Sequence, residues 1–318
     1  MAVHRFSPST YHTAIGSHQP VLHIASGDQV VTTTVDAGGS DANGQNVAEG
    51  GNPQTGPFYV DGAEPGDVLA IRFDRIWPNR AQGYTGTLVA NNIIDPWYGA
   101  QQAVKATVKL GRAPESVRGV WDVDIQAGTA TLAQPETALG KLKLDLDPML
   151  GCFGVAPPRR QAISTATSST HGGNMDYRAF RKGATIYFPV FVAGALLHVG
   201  DGHATQGDGE IVGTGIEISM DVEFTTWIHR RQQPIHWPRA EDDTFIMAVG
   251  NARPLDEALQ QATTELLRWL EEDYGLDFMA ASILLGQCVR YDIGNVFDPA
   301  YTVVCKIEKR FLPARTSA

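Results

Sequence analysis

The sequence predicts an α+β fold that is mainly β: a β-rich body over residues 1–250, then a C-terminal α+β part over 251–318 packed into the same unit. Three observations lead there. Short apolar runs are separated by turn residues throughout, in a chain with 33 Gly and 18 Pro among 318 residues. Gly/Pro punctuation between short apolar segments is a strand signature. The run GDVLAIRFDRI (66–76) alternates apolar and polar positions with period two, so one face of an extended chain is buried. Helical spacing is concentrated late, near residue 254.

Taken in order, residues 1–35 read as strands, with GDQVVTTTVDAGG (27–39) ending in a glycine turn. Residues 36–57 hold almost nothing to pack, and a loop that long is functional or mobile in a compact protein. FYVDGAEPGDVLAIRFDRIWP (58–78) reads as two strands around a Gly/Pro turn. Residues 79–100 read as a Gly/Asn-rich loop carrying Tyr84, Trp97 and Tyr98. AVKATVKL, GVWDVDI and GKLKLDLD follow as short β-like runs. Residues 184–210 are an apolar run that ends in a polar, glycine-spaced loop, and 212–229 read as one long strand. Then Leu255, Ala258, Leu259, Ala262, Leu266, Trp269 and Leu270 recur at helical spacing between Pro254 and Gly275, which suit the two ends of a helix. Asp277 caps a second helix through Leu285, and 290–309 return to strand.

Lys plus Arg number 25 and Asp plus Glu 35, a net charge of −10. That balance opposes phosphate backbones and argues against nucleic acid as a partner. The sequence has no run of 18 apolar residues to cross a membrane, and its first residues lack the apolar segment of a secretory leader. The three cysteines, Cys152, Cys288 and Cys305, lack close ligand spacing and fit free thiols in the cytoplasm.

Four glycine-spaced segments concentrate Asp, Glu and His: Asp36 to Asp41, Asp61 to Asp67, His171 to Asp176, and Gly200 to Glu210. Glycine lets backbone approach a ligand closely. In the fourth, Asp201 and His203 are two apart and share a side of an extended stretch. With a histidine from another loop they make an O/N donor set suited to zinc or a similar cation. Plainer readings stand beside this one. Asp61, Asp67 and Asp208 suit turns, His171 and His203 suit structural hydrogen bonds, and His198 suits an apolar wall. Cys152 has no neighbouring base to activate it, and Ser168 to Thr170 suit a strand. Glu217 lies between Ile216 and Ile218. A carboxylate buried there must be paired or catalytic; facing solvent, it is neither.

FYVDGAEPGDVLAIRF, GCFGVAPP, HGGNMDYR, LHVGDGHATQGDGE and GTGIEISMDVEF resemble the acetamidase/formamidase family over nearly the whole chain. The resemblance implies a β-sandwich-like body with an added α+β part, assembled as a homodimer or higher homo-oligomer. It implies hydrolysis of a short carboxamide, formamide- or acetamide-like, to carboxylate and ammonia. The cofactor implied is a divalent metal ion, zinc first, with calcium or another cation as alternatives. On that reading Asp36, His171, Asp201 and His203 are metal ligands. Glu64, then Glu217, is the general base, and Asn174 and Gln206 bind the substrate amide. The partner is a small amide, with no membrane and no nucleic acid. A cyclic amide such as a γ-lactam, a Cys152-dependent hydrolase and a non-catalytic ligand-binding protein are the alternatives. Two stretches depart from relatives: Tyr177-Arg178 after HGGNMD, where Thr-Arg is frequent, and the bulky, basic TWIHRRQQPIHWPRAE (226–241).

Overall fold

The computed structural model describes residues 1–110, 113 and 116–316. Its strands form two large sheets. The larger has nine strands, in the spatial order Val3–Arg5, Gln29–Thr34, Met220–His229, Val68–Pro78, Thr185–Pro189, Arg239–Glu241, Phe245–Ala252, Tyr301–Glu308 and Arg290–Asn295. The second has six: Ser168–Ser169, Gly172–Asn174, Met149–Gly154, Leu197–His203, Gln54–Asp61 and Leu22–Ala25. A four-stranded sheet, ordered Lys143–Asp145, Thr129–Gln134, Gly119–Asp124, Gln82–Thr85, stands beside them.

The two large sheets close on each other through aromatic rings. Phe153 of the six-stranded sheet meets Phe73 and Phe188 of the nine-stranded sheet edge-on, with ring centroids 5.1 and 5.7 Å apart. Phe58 meets Phe224 likewise at 5.3 Å. These rings are wholly buried, and edge-to-face pairs add about 0.5–1.5 kcal/mol beyond the area they remove from water.

Helix α1 spans Pro96–Leu110, α2 Leu255–Tyr274 and α3 Phe278–Cys288. The apolar stripe of α2 (Ala258, Ala262, Leu266, Trp269, Leu270) packs on Ile246, Ala248, Val303, Cys305 and Ile307 of the nine-stranded sheet. Each fully buried leucine there contributes about 1.5–3 kcal/mol. Gly250 permits the approach, since a Cβ built on it falls 2.0 Å from the Ala258 carbonyl oxygen. Gly275 ends α2 at φ +66°, and its N–H reaches back to the carbonyls of Glu271 and Leu270. The Asp277 carboxylate accepts from the Ala280 N–H and starts α3. Residues on both sides of position 250 thus share one sheet.

Three local expectations are corrected. AVKATVKL is the second half of α1, not a strand. Pro96 at its first turn and Asp95, which accepts the Tyr98 N–H at 2.9 Å, start a helix that Ala, Gln and Lys sustain; the alternating Val and Lys imitate strand periodicity. The segment 79–100 is not all loop, because Gln82–Thr85 is a strand. The Leu197–His203 strand runs into the glycine-spaced segment expected to be loop, whereas 212–219 make only isolated bridges before the Met220–His229 strand. All three cysteines are free. No helix among the described residues is long and apolar enough to cross a membrane.

Candidate active site

The chemistry-bearing side chains converge on His203, at the end of the Leu197–His203 strand. Its Nε2 lies 2.9 Å from Glu217 Oε1 and 3.6 Å from Asp201 Oδ1. The same imidazole belongs to a second group with Asp176 and Glu210, the donor atoms of each group lying within 4.8 Å of one another. Isolated antiparallel bridges place His203 opposite Glu217 and Glu217 opposite Tyr84. Directly opposed residues in such pairs project to one side, so the three form a row across the bridges.

The tautomer of His203 is set by its neighbour. Gln206 Nε2 donates to the Asp176 carbonyl at 2.5 Å, so its Oε1 faces His203 Nδ1, 2.7 Å away, as an acceptor. Nδ1 therefore carries a proton, and Nε2, facing the Glu217 and Asp201 carboxylates, is the nitrogen that would bind a cation in exchange for its own proton. Asn295 Nδ2 sits among three carboxylates, 2.7, 2.8 and 2.7 Å from Asp176 Oδ2, Glu210 Oε2 and Asp298 Oδ2, and its two hydrogens are shared among them. Asn52 Nδ2 holds Asp201 Oδ2 at 3.1 Å and Asn174 Oδ1 at 2.9 Å.

Five carboxylates (Asp176, Asp201, Glu210, Glu217 and Asp298) thus surround one imidazole. Four of them are at most 6 % exposed, and none forms an ion pair with Lys or Arg among the described residues. Buried like charges are costly unless protons or a cation offset them. Burial first, and then neighbouring carboxylates, hold Asp176 and Glu210 well above the usual carboxylate range. Burial pushes Glu217 up to about 7 and Asp298 up to about 6. For His203, burial opposes the charged form, but Glu217 and Asp201 outweigh it and raise the imidazole well above its ordinary value.

The donor set fits a divalent cation. Asp201 Oδ1, Glu217 Oε2 and Asp176 Oδ1 are buried without a hydrogen-bond partner, and His203 Nε2 faces only the Glu217 and Asp201 carboxylates. Gly151 keeps the space beside Asp176, Asp201 and His203 clear: a Cβ there would fall 2.2 Å from Asp176 Oδ1, 2.8 Å from Asp201 Oδ2 and 3.0 Å from His203 Cε1. One nitrogen with several carboxylate oxygens suits zinc or a harder divalent ion. The backbone is strained here. Asp201, Asp176 and Glu210 adopt φ of +59°, +45° and +47°, and side chains held there are characteristic of functional sites.

The eight residues singled out from the sequence fall into distinct places. Asp201, His203 and Glu217 meet. Asp201 does so from a left-handed conformation, so strand alternation is not what aims it at His203. Gln206 and Asn174 are nearby, but their amides are engaged internally, Gln206 with His203 and Asn174 with Asn52 and Asp298. Asp36 is buried, yet Arg80 holds its Oδ2 at 2.5 Å while the Gly38 and Ser40 N–H groups occupy Oδ1. His171 is wholly buried without a partner for either ring nitrogen, and burial lowers it to about 4; its electrostatic neighbour is His198, not His203. Glu64 is exposed on the turn after Asp61. The Gln54–Asp61 strand pairs with Gly200 at its first residue, so that turn lies about 23 Å along the strand from the His203 end. Cys152 is buried, and desolvation followed by Asp201 pushes its thiol well up, against a nucleophilic role. Asp176, Glu210, Asp298, Asn295, Asn52 and Gly151 were missed as site residues. Asp176 and Glu210 stood within HGGNMD and GDGE; their left-handed backbone leaves no mark in the sequence.

Residues 155–299 match the family model described as the Acetamidase/Formamidase family. An acetamidase of Mycolicibacterium smegmatis is 32 % identical over 200 residues, 49 % of this chain and 48 % of that protein. The chain spans about half the length of the curated relatives it matches. A crystal structure of a predicted acetamidase/formamidase from Thermoanaerobacter tengcongensis superposes with a TM-score of 0.79 at 26 % identity, covering 98 % of this chain and 96 % of that one. An acetamidase structure from Yersinia enterocolitica gives 0.78 at 30 % identity, covering 97 % and 92 %. Two solved structures that align over nearly the whole chain, one of them 30 % identical, and a family model over the segments bearing Asp176, Asp201, His203, Glu210 and Glu217 lead to one conclusion: the chain belongs to the acetamidase/formamidase family.

Proposed function

We propose that the chain is a metal-assisted amidohydrolase that converts a short carboxamide, formamide- or acetamide-like, to a carboxylate and ammonia. The observation that carries this reading is the buried cluster of His203, Asp201 and Glu217, whose donor atoms lie within 4.8 Å of one another, with Asp176 beside it across the space that Gly151 leaves clear. His203, Asp201 and Glu217 would hold a divalent cation, zinc as first candidate and calcium or another as alternative. Such an ion supplies a Lewis acid able to polarise an amide carbonyl and to acidify water.

The remaining work falls to the chain. Gln206 holds the His203 ring in one orientation and one tautomer. Asp176 directs an unpartnered Oδ1 at the same space, and Asn295 fixes its other oxygen. Asp176 is therefore placed to take a proton from attacking water and pass it to the departing nitrogen; Glu64, exposed on its turn, is not. The buried setting strengthens each of these interactions.

The test is ammonia release from formamide, acetamide, propionamide and a γ-lactam, with metal analysis before and after chelation. Chelator-sensitive release restored by one divalent ion supports the reading. Release indifferent to chelation refutes the metal's part, and release from the lactam alone moves the substrate to cyclic amides. The same proposal places the enzyme in the cytoplasm, as three free thiols suit, and makes it a homo-oligomer through α3. That helix exposes Phe278 (76 %), Met279 (69 %) and Ile283 (67 %), more apolar surface than a free helix ordinarily shows.

A further inference from the structure

The basic segment 226–241 takes no part in the His203 site. It builds a cleft between the Met220–His229 and Arg239–Glu241 strands and α2. An inner cavity of about 80 Å³ is lined by Tyr187, His229, Arg231, Arg239, Trp269 and Arg315, with Val68 and Ile235 as apolar wall. It shares Arg231, Asp273 and Arg315 with an outer cleft of about 710 Å³. No residue lining either belongs to the His203 group.

Arg239 is the inner anchor. Its side chain is 2 % exposed, with Nε on Glu265 Oε1 at 2.7 Å and Nη1 on Glu272 Oε2 at 3.0 Å. Its Nη2 is buried with no partner. A buried guanidinium normally satisfies its donors, and a missing bond costs more than a made one returns. The guanidinium lies over the Trp269 ring, 5.4 Å from its centroid, and the unused Nη2 is the donor left for a ligand in the adjoining cavity. The lining carries four arginines, each held by a carboxylate: Arg230 by Asp67, Arg231 by Glu272 and Asp273, Arg239 by Glu265 and Glu272, and Arg315 by Glu241. Burial, then Arg231, lowers His229, so the ring adds a neutral polar wall. Arg231 and Arg315 at the mouth are 25 % and 47 % exposed; Arg231 uses Nη1 and Nη2 on Asp273 and Glu272, Arg315 uses Nε and Nη2 on Tyr274 and Glu241, and Arg231 Nε and Arg315 Nη1 are left for an incoming group.

We propose that this cleft is a second ligand site that takes a small organic carboxylate, its oxygens on Arg239, Arg231 and Arg315 and its hydrocarbon part against Trp269, Val68 and Ile235. Guanidinium forks match carboxylate geometry, and the apolar wall favours a carbon-bearing anion over inorganic phosphate. The inference stands apart from the amidohydrolase reading, since its test measures binding and not turnover. Titration calorimetry on the full chain would use propionate, propionamide and inorganic phosphate as probes. Propionate binds; propionamide, of the same shape without charge, does not displace it. Arg231→Ala and Arg315→Ala each weaken propionate binding about tenfold or more. Both change partly exposed side chains, so they keep the test open should Arg239→Gln fail to fold. Binding kept in His203→Ala separates the cleft from product binding at the candidate active site. Binding lost in His203→Ala but unchanged in both arginine variants overturns the proposal, as does binding of phosphate without propionate, or no saturable binding at millimolar concentration.

Discussion

Gly151→Ala tests the candidate site with a single methyl group. No left-handed backbone is required at Gly151, so the substitution acts through space alone. The new Cβ would lie 2.2 Å from Asp176 Oδ1 and 2.8 Å from Asp201 Oδ2. An ordinary carbon–oxygen contact is about 3.3 Å, so Asp176 must retreat by about 1 Å and Asp201 by about half that. Overpacking of this kind costs about 1–3 kcal/mol of stability, which a domain of this size survives. A displacement of about 1 Å at reacting groups costs about 100-fold in rate. The expected result is a folded protein with weakened divalent-metal binding and amide turnover reduced about 100-fold. Gly286→Ala, on α3 with nothing near its Cβ, is the control and keeps full turnover. Metal content after dialysis, ammonia release and the urea midpoint would be measured for both. Wild-type turnover and metal content in Gly151→Ala would refute the placement of the site.

Four further outcomes are expected. Gly250→Ala drives a methyl to 2.0 Å from the Ala258 carbonyl oxygen and lowers the urea-unfolding free energy by 1 kcal/mol or more, with turnover per folded molecule unchanged; a normal midpoint would contradict the packing of α2. Gln206→Ala removes the partner of His203 Nδ1 and weakens metal binding about 10- to 100-fold, read by competition with a chelator; unchanged affinity would show that Gln206 does not orient the ring. Asp28 sits at about 2 in the folded chain, below its ordinary 3.8, because the Ala2 N–H and then His4 bind its carboxylate. It therefore contributes stability above pH 3.8 that is lost as pH falls toward 2, and Asp28→Asn should flatten the stability–pH curve across that interval; an identical curve in urea melts would exclude this contribution. On the proposal that α3 forms a homo-oligomer interface, the chain should run as an oligomer in light scattering and Ile283→Glu as a monomer; a monomeric wild type, or an unchanged mass in the variant, would remove α3 from that role.

What could be read from the sequence divides along physical lines. Helix α2 was legible because Pro254, the apolar stripe and Gly275 are local signals that tertiary structure reinforced. Helix α1 was not, because Val104 and Val108 are exposed (64 % and 79 %) and carry no burial pattern that would tell helix from strand. Asp201, His203 and Glu217 were legible as candidates because glycines or isoleucines flank them, and a polar group in either setting needs a reason. That Asp36 and Glu64 stand outside the group was not, since a glycine-rich turn looks the same whether Arg80 neutralises its carboxylate, solvent surrounds it or a ligand binds it.

Asp176 and Glu210 show where reading by residue type stops. Their roles depend on φ values of +45° and +47°, on a bond to Asn295 across 119 and 85 positions of chain, and on the missing side chain of Gly151. None of these is a property of the residue or its neighbours in sequence. Each arises when the two sheets close and force carboxylates from separate segments into one dry volume. The core thus does more than hold the strands together. The apolar contacts of Phe153, Phe73 and Phe188 stabilise an arrangement that, without a cation or shared protons, five adjacent carboxylates would disperse. Sandwich stability and site acidity are therefore coupled: loosening the core beside Gly151 should release acidic groups to solvent before it unfolds the chain.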